Sequence, residues 1–151
     1  MSYKTDKVSW SQSASEIKTI REQVFVYEFQ FPESTEFDQN DINSEHILIR
    51  DDAGKAVATG RLCEDGKISR VAVLMKHRKT AIAKQVIKEL LRIAKAKGMK
   101  KVYFDAQLEE VDKYRAQGFK PIGNVYMEAG IPKQTLMCSI DLFHITKNVL
   151  H

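Results

Sequence analysis

The apolar positions of this chain change period along its length, and the changes predict an order of elements. Val8 and Trp10 alternate with polar residues, as in a short first strand. Ser13-Ala14-Ser15-Glu16 is a capping-box pattern, with Ser13 as cap and Glu16 reaching back. Ile17, Ile20, Val24 and Tyr27 follow at helical spacing. Residues 30–45 are polar and acidic, around Pro32 and Asn40-Asp41, and read as a loop with room for one helical turn. Three apolar runs then lie close together: His46 to Arg50, Val57 to Leu62 and Ile68 to Leu74, separated by the turn sequences Asp51-Asp52-Ala53-Gly54-Lys55 and Glu64-Asp65-Gly66. This spacing predicts an antiparallel meander. Val71-Ala72-Val73-Leu74 is apolar on both faces, the pattern of a central buried strand.

The period changes again at about Thr80. Ile82, Val86, Leu90 and Ile93 form one stripe of a helix that runs to about Lys97, and Gly98 stands where a C-terminal cap belongs. Val102-Tyr103-Phe104 opens another strand, so a strand–helix–strand unit with parallel strands is expected. A shorter helix over Glu109 to Gln117 and a final antiparallel pair, Phe119 to Met127 and Gln134 to Phe143, complete the chain. The fold class is α+β, a mixed central sheet of about seven strands with flanking helices, in one domain over residues 1–151.

Composition narrows the class of protein. With 43% hydrophobic and 29% charged residues, the 151-residue chain is an ordinary globular mixture with enough apolar side chains for a core. No run approaches a membrane span, and Met1 to Lys7 is polar with no signal-peptide core. Cys63 and Cys138 lack paired or metal-like spacing and read as reduced thiols of a cytoplasmic protein. The histidines do not cluster with Asp, Glu or Cys, and no metal is predicted.

Charge is unevenly distributed. Between Met75 and Val102 ten Lys and Arg residues face a single acid, Glu89, whereas Tyr27 to Ile42 holds five acids and no Lys or Arg. The basic stretch includes the junction Met75 to Ala83, where a buried strand gives way to a helix start. The first turn of a helix offers unpaired N–H groups and partial positive charge, a ready seat for a pyrophosphate. Arg78, Lys79 and Lys84 add cations around it.

The hexapeptide Arg78-Lys79-Thr80-Ala81-Ile82-Ala83 resembles the acetyl-CoA loop of the GNAT acetyltransferases, Gln/Arg-x-x-Gly-x-Gly/Ala, with Ala81 where the family usually has Gly. Further segments resemble the small GNAT subgroup of ElaA-like and YjcF-like proteins, in the same order. They are Arg21 to Glu28, Glu36-Phe37-Asp38 with Asp41 and His46, Gly66 to Val73, Asp105-Ala106-Gln107, Tyr114 to Phe119, and Glu128 to Pro132; Lys133 falls where that subgroup often has His.

The resemblance implies an acetyl-CoA-dependent N-acetyltransferase. In that reading Val71, Ala72 and Val73 line the thioester and offer backbone N–H groups to its carbonyl. Residues 78–83 hold the pyrophosphate, Gln107 reaches the pantetheine arm, and Tyr114 protonates the departing thiolate. Glu28, Glu36 and His46 are the candidates for the acceptor side and the base. The acceptor is a small-molecule amine or a peptide, with a cationic amine favoured by the acidic loop, and a homodimer is compatible with the family.

Two other readings stand beside this one. The basic helix would also attract nucleic acid, but no helix-turn-helix, zinc finger or aromatic RNA-binding motif accompanies it, and no nucleic-acid partner is expected. A GNAT fold that binds acyl-CoA without turnover is the other, with Ala81 as its basis. For Tyr114 the plain alternative is core packing, for Gln107 a turn residue, and for His46 a structural hydrogen bond.

Overall fold

The computed structural model describes residues 2–32, 38–78, 81–116, 118–128 and 130–140. Glu36, Lys79 and Thr80 lie outside the described residues, as do positions 141–143 of the predicted last strand.

Among the described residues there are seven strands: β1 (Lys4–Val8), β2 (Glu45–Arg50), β3 (Ala56–Leu62), β4 (Ile68–Val73), β5 (Lys101–Gln107), β6 (Lys120–Glu128) and β7 (Ile131–Ser139). The helices are α1 (Trp10–Arg21), continued by a π-helical turn over Glu22–Glu28, then α2 (Asn40–Asn43), α3 (Ile82–Ala96) and α4 (Val111–Arg115). The strands form two antiparallel sheets, in the orders β1-β2-β3-β4 and β5-β7-β6. A single parallel bridge, Lys67 to Tyr103, joins them, with the Tyr103 N–H donating to the Gly66 carbonyl at 3.0 Å. β4 and β5 therefore start side by side and are unpaired beyond that point. The joint needs a glycine: at Gly66, φ is +93° and a Cβ would lie 2.7 Å from the Lys101 carbonyl oxygen.

The larger sheet is covered on both faces, as the pattern of β4 requires. Ile17, Ile20 and Val24 of the first helix pack on Leu48, Ala56 and Ala72. On the opposite face Ile82, Val86 and Leu90 of α3 pack on Ile47, Ile49 and Val57. At Gly60 on β3 a Cβ would meet Val86 at 2.5 Å and Leu90 at 3.0 Å, so α3 rests directly on backbone there.

Three sequence expectations are corrected. The first helix starts at Trp10, not after Ser13, because Ser9 caps it by accepting from the Gln12 N–H at 3.3 Å; Ser13 is buried inside the helix and Glu16 pairs with Arg50. Trp10 is therefore a helical residue and not part of the first strand. The 3.6-residue stripe breaks before Tyr27, which is 63% exposed, because the π-helical turn bonds the Phe29 N–H to the Val24 carbonyl and rotates later positions out of register. The last strand starts at Ile131, so Pro132 lies within it. β5 ends at Gln107, opposite Lys133, so no neighbour on that side calls for the missing Pro132 N–H.

Candidate active site

β4 ends where the sheets have parted. The Leu74 N–H donates to the Val57 carbonyl of β3 at 2.9 Å. By strand alternation the backbone groups of Val73 turn the other way, toward β5. Before it the register slips by one residue between Ser69 and Ala72, where Arg70 takes φ +54° and the strand bulges at Arg70 and Val71. The chain then makes one tight turn at Met75–His77 and reaches α3 through Ala81, at φ −82° and ψ 24°. Ala81 at the N-cap position has no side chain that could cap the helix, and among the described residues none does so. Ala81 is thus at ease without the conformational freedom of glycine.

Arg78 leaves the turn in the direction of the first helix. Its Nε donates to the Val73 carbonyl at 2.9 Å, its Nη2 to Glu28 Oε1 at 2.6 Å, and its Nη1 to the other Glu28 oxygen. The guanidinium lies 5.7 Å from the Phe29 ring centroid. Hydrogen bonding from Arg78 lowers the Glu28 pKa, so Glu28 is an ion-pair partner rather than a poised base.

A cleft of about 460 Å³ opens at the gap between β4 and β5. Its two sides differ. On the side of the first helix, Arg61 stands at 3% exposure on a strand whose residues are all buried. It donates to Asp38 at 2.7 Å, to Asp41 at 3.0 Å and to Ser69 Oγ at 3.1 Å. Burial opposes its charge, but the two carboxylates outweigh burial and raise its pKa. Desolvation pushes Asp38 up; Arg61 more than offsets this and holds it below the ordinary carboxylate value. Beneath them, fully buried Arg21 donates to Asp41 at 2.8 Å against the Trp10 ring. On the side of α3 the cleft is floored by apolar side chains, among them Val71, Ile87, Leu91 and Val102. Phe104, Tyr114 and Phe119 form an edge-to-face trio there, with ring centroids 4.8 to 5.8 Å apart.

Residues 8–139 match the family model described as Acetyltransferase (GNAT) domain. The chain belongs to the GNAT acetyltransferase family. This GNAT chain is 33% identical to the N-acetyltransferase YjcF of Bacillus subtilis over 122 residues, 78% of its own length and 86% of the relative's. Its fold resembles the crystal structure of Escherichia coli ElaA, with a TM-score of 0.77, 25% identity, and 91% and 99% of the two chains covered. An acyl-CoA N-acyltransferase from Pseudomonas aeruginosa is similar at a TM-score of 0.76 and 23% identity, over 91% and 98% of the chains. The protein is thus an acyltransferase of the ElaA/YjcF-like subgroup, a family that uses acyl-CoA and acts on small-molecule or peptide acceptors.

The structure places the predicted residues of this acyltransferase as follows. Val71 and Tyr114 line the cleft; Ala72 faces the first helix. Ile82 is buried in the core under α3, Ala83 is exposed in its first turn, and Gln107 is exposed at the end of β5. Arg78 and Glu28, assigned from sequence to the donor and acceptor sides, are bonded to each other. His46 does not reach the cleft. It has no exposure, stacks near Trp10 and bonds through Nε2 to the Asp41 carbonyl at 2.8 Å. Since a carbonyl only accepts, Nε2 carries the proton, and burial keeps the ring neutral by lowering its pKa.

Sequence reasoning missed Arg61, Ser69 and Asp105 as cleft residues. Asp105 ties the joint together, paired with Lys67 at 2.6 Å and accepting from Thr135 at 2.7 Å. Desolvation alone would raise its pKa, but Lys67 and Thr135 lower it on balance. The available signal for Arg61 was a lone cation in an otherwise uncharged strand, Ala56 to Leu62. Among the described residues no group of three or more His, Cys, Asp or Glu side chains is placed to hold a metal ion, and no helix is long and apolar enough to cross a membrane.

Proposed function

We propose that this protein transfers an acyl group from acyl-CoA directly to a cationic amine acceptor, with acetyl-CoA the simplest donor of the class. The observation that carries the reading is the gap between β4 and β5, with strand N–H groups on one edge and Tyr114 beside it. The donor set fits the group. The start of α3, with Lys84 in its first turn and the basic sequence that leads into it, suits a pyrophosphate. The unpaired edge of β4 suits a pantetheine arm that makes strand-like hydrogen bonds, with Gln107 at its open end.

Bound there, acyl-CoA would supply an activated thioester: the acceptor, having released its ammonium proton to water, attacks as the neutral amine. The N–C bond forms and the C–S bond breaks, the nitrogen gives its second proton to water, and the departing thiolate takes one from Tyr114. The N–H group of Val73 stabilises negative charge on the carbonyl oxygen. Tyr114 supplies the proton from Oη. Burial, and secondarily Glu110, raise its pKa, so the phenol is protonated across the physiological range. The acceptor enters on the polar side, where Asp38 is ionised. Glu28, held by Arg78, and Glu36 are the acidic candidates for recognising the acceptor, and His46 supports Asp41 through its Nε2 hydrogen bond.

Calorimetric titration with acetyl-CoA tests the donor site, and micromolar binding is expected. Tyr114→Phe is expected to lower kcat about 100-fold while leaving the donor Kd unchanged. Full turnover in that variant would remove Tyr114 from the mechanism.

A further inference from the structure

The apolar floor of the cleft has no task in the reaction of an acetyl group. Ile87 and Leu91 lie one helical turn apart on α3 and close the gap from below. Ile68 and Val102 close its base beside the Lys67–Tyr103 bridge, and the Phe104–Tyr114–Phe119 trio forms a wall. These groups come from α3, β4, β5, α4 and the residue before β6. Val102 is fully buried and Ile68, Leu91 and Phe119 nearly so, and Ile87, Phe104 and Tyr114 carry the open part of the surface. They begin at Val71, which in the reading above faces the thioester carbonyl. A chain running on from the acyl carbon has two exits. One leads to Arg61, Asp38 and Arg70, where an aliphatic chain would desolvate charges. The other leads onto the floor, where it would replace water against apolar surface. The cleft volume of about 460 Å³ lies within the range that holds ligands well larger than a two-carbon group.

We infer that the floor is a binding site for an aliphatic acyl chain of several carbons, so that the donor this enzyme uses best is a medium-chain acyl-CoA and not acetyl-CoA. The inference rests on the acyl-CoA reading above and adds the class of acyl group. It also gives the cleft a division of labour: charge on the first-helix side receives the amine, and the α3 side selects the acyl chain.

The test is a calorimetric series on the full chain with CoA, acetyl-CoA, butyryl-CoA and hexanoyl-CoA, which needs no acceptor. Each methylene that reaches the floor should tighten binding about fourfold, so hexanoyl-CoA is expected to bind at least about tenfold tighter than acetyl-CoA. Leu91→Trp fills the floor and should bring the hexanoyl-to-acetyl ratio toward one. Affinity that is flat or falls from acetyl to hexanoyl overturns the inference while leaving the acyl-CoA reading intact. A gain that persists undiminished in folded Leu91→Trp also overturns it, because the chain then lies elsewhere. Absence of binding by every member of the series, CoA included, overturns the reading itself and the inference with it.

Discussion

The two faces of the larger sheet are closed by opposite chemistry. Under α3 the contact is apolar, with Val86 and Leu90 wholly buried against Ile47, Ile49 and Val57. Under the first helix an apolar patch gives way, toward the cleft, to Arg21, Asp41, His46 and Arg61, all nearly or fully buried. An apolar face tolerates exchange of one aliphatic group for another of similar volume. A buried ionic network depends on every partner, and among the described residues this one leaves Arg21 Nε and Nη2, Asp41 Oδ2 and His46 Nδ1 without a hydrogen-bond partner. In the reading proposed above, this difference is what ties the polar face to the site. Its charges reach the cleft through Asp38 and Arg61, and stability alone would be served as well by packing.

Breaking the network should give the largest effect. Arg21→Ala leaves Asp41 buried with its charge less compensated and should cost about 3–5 kcal/mol in urea unfolding. Leu90→Ala on the opposite face should cost about 2–5 kcal/mol, as lost transfer energy plus a cavity. The faces separate on repair: Arg21→Met with Asp41→Leu should regain most of the loss while weakening acceptor binding. A double variant no more stable than Arg21→Ala would contradict the view that the network serves the site.

The next effect concerns the joint between the sheets. Asp105→Asn should destabilise by about 1–2 kcal/mol at pH 7, because a charge-assisted contact to Lys67 is lost. The folded pKa of Asp105 is depressed, so its contribution is fully present above the unfolded value near 3.9 and is lost as pH falls through the folded value. Wild type and variant should therefore converge in stability as the pH falls below the folded pKa of Asp105, as measured by urea midpoints across pH.

The smallest effect separates two roles for Arg78. Its three nitrogens are engaged with Val73 and Glu28, which fixes the end of β4. If that positioning is what matters, Glu28→Arg and Arg78→Glu should each weaken acyl-CoA binding about tenfold, and the double reversal should restore part of it. If Arg78 served only as a phosphate ligand, Glu28→Arg would leave binding unchanged or tighter, and the double variant would remain as weak as Arg78→Glu.

Much of this architecture is legible in the sequence wherever period carries the information. The meander, α3 and the two-faced pattern of β4 follow from spacing, and the basic helix start after β4 is where the sequence places the proposed donor turn. The first-helix cap was misplaced because Ser9-Trp10-Ser11-Gln12 and Ser13-Ala14-Ser15-Glu16 are capping boxes of equal local quality, and packing of Ile17 and Ile20 decides between them. The π-helical turn left no mark in periodicity. The Arg21–Asp41–Arg61 cluster unites residues 20 positions apart at each step, a convergence that only tertiary structure creates.

Gly60 touches no reacting group, yet it sets a length. Because Val86 and Leu90 of α3 sit over bare backbone at that point, helix and sheet lie closer there than a side chain at position 60 would allow. The same helix carries the donor turn at its start and Ile87 and Leu91 at the floor. A single added methyl at position 60 would act as a shim, tilting or lifting the whole helix and changing the depth of the cleft and the height of the donor turn together. Substrate size in this molecule is thus open to variation from a site where no substrate contact would ever be mapped.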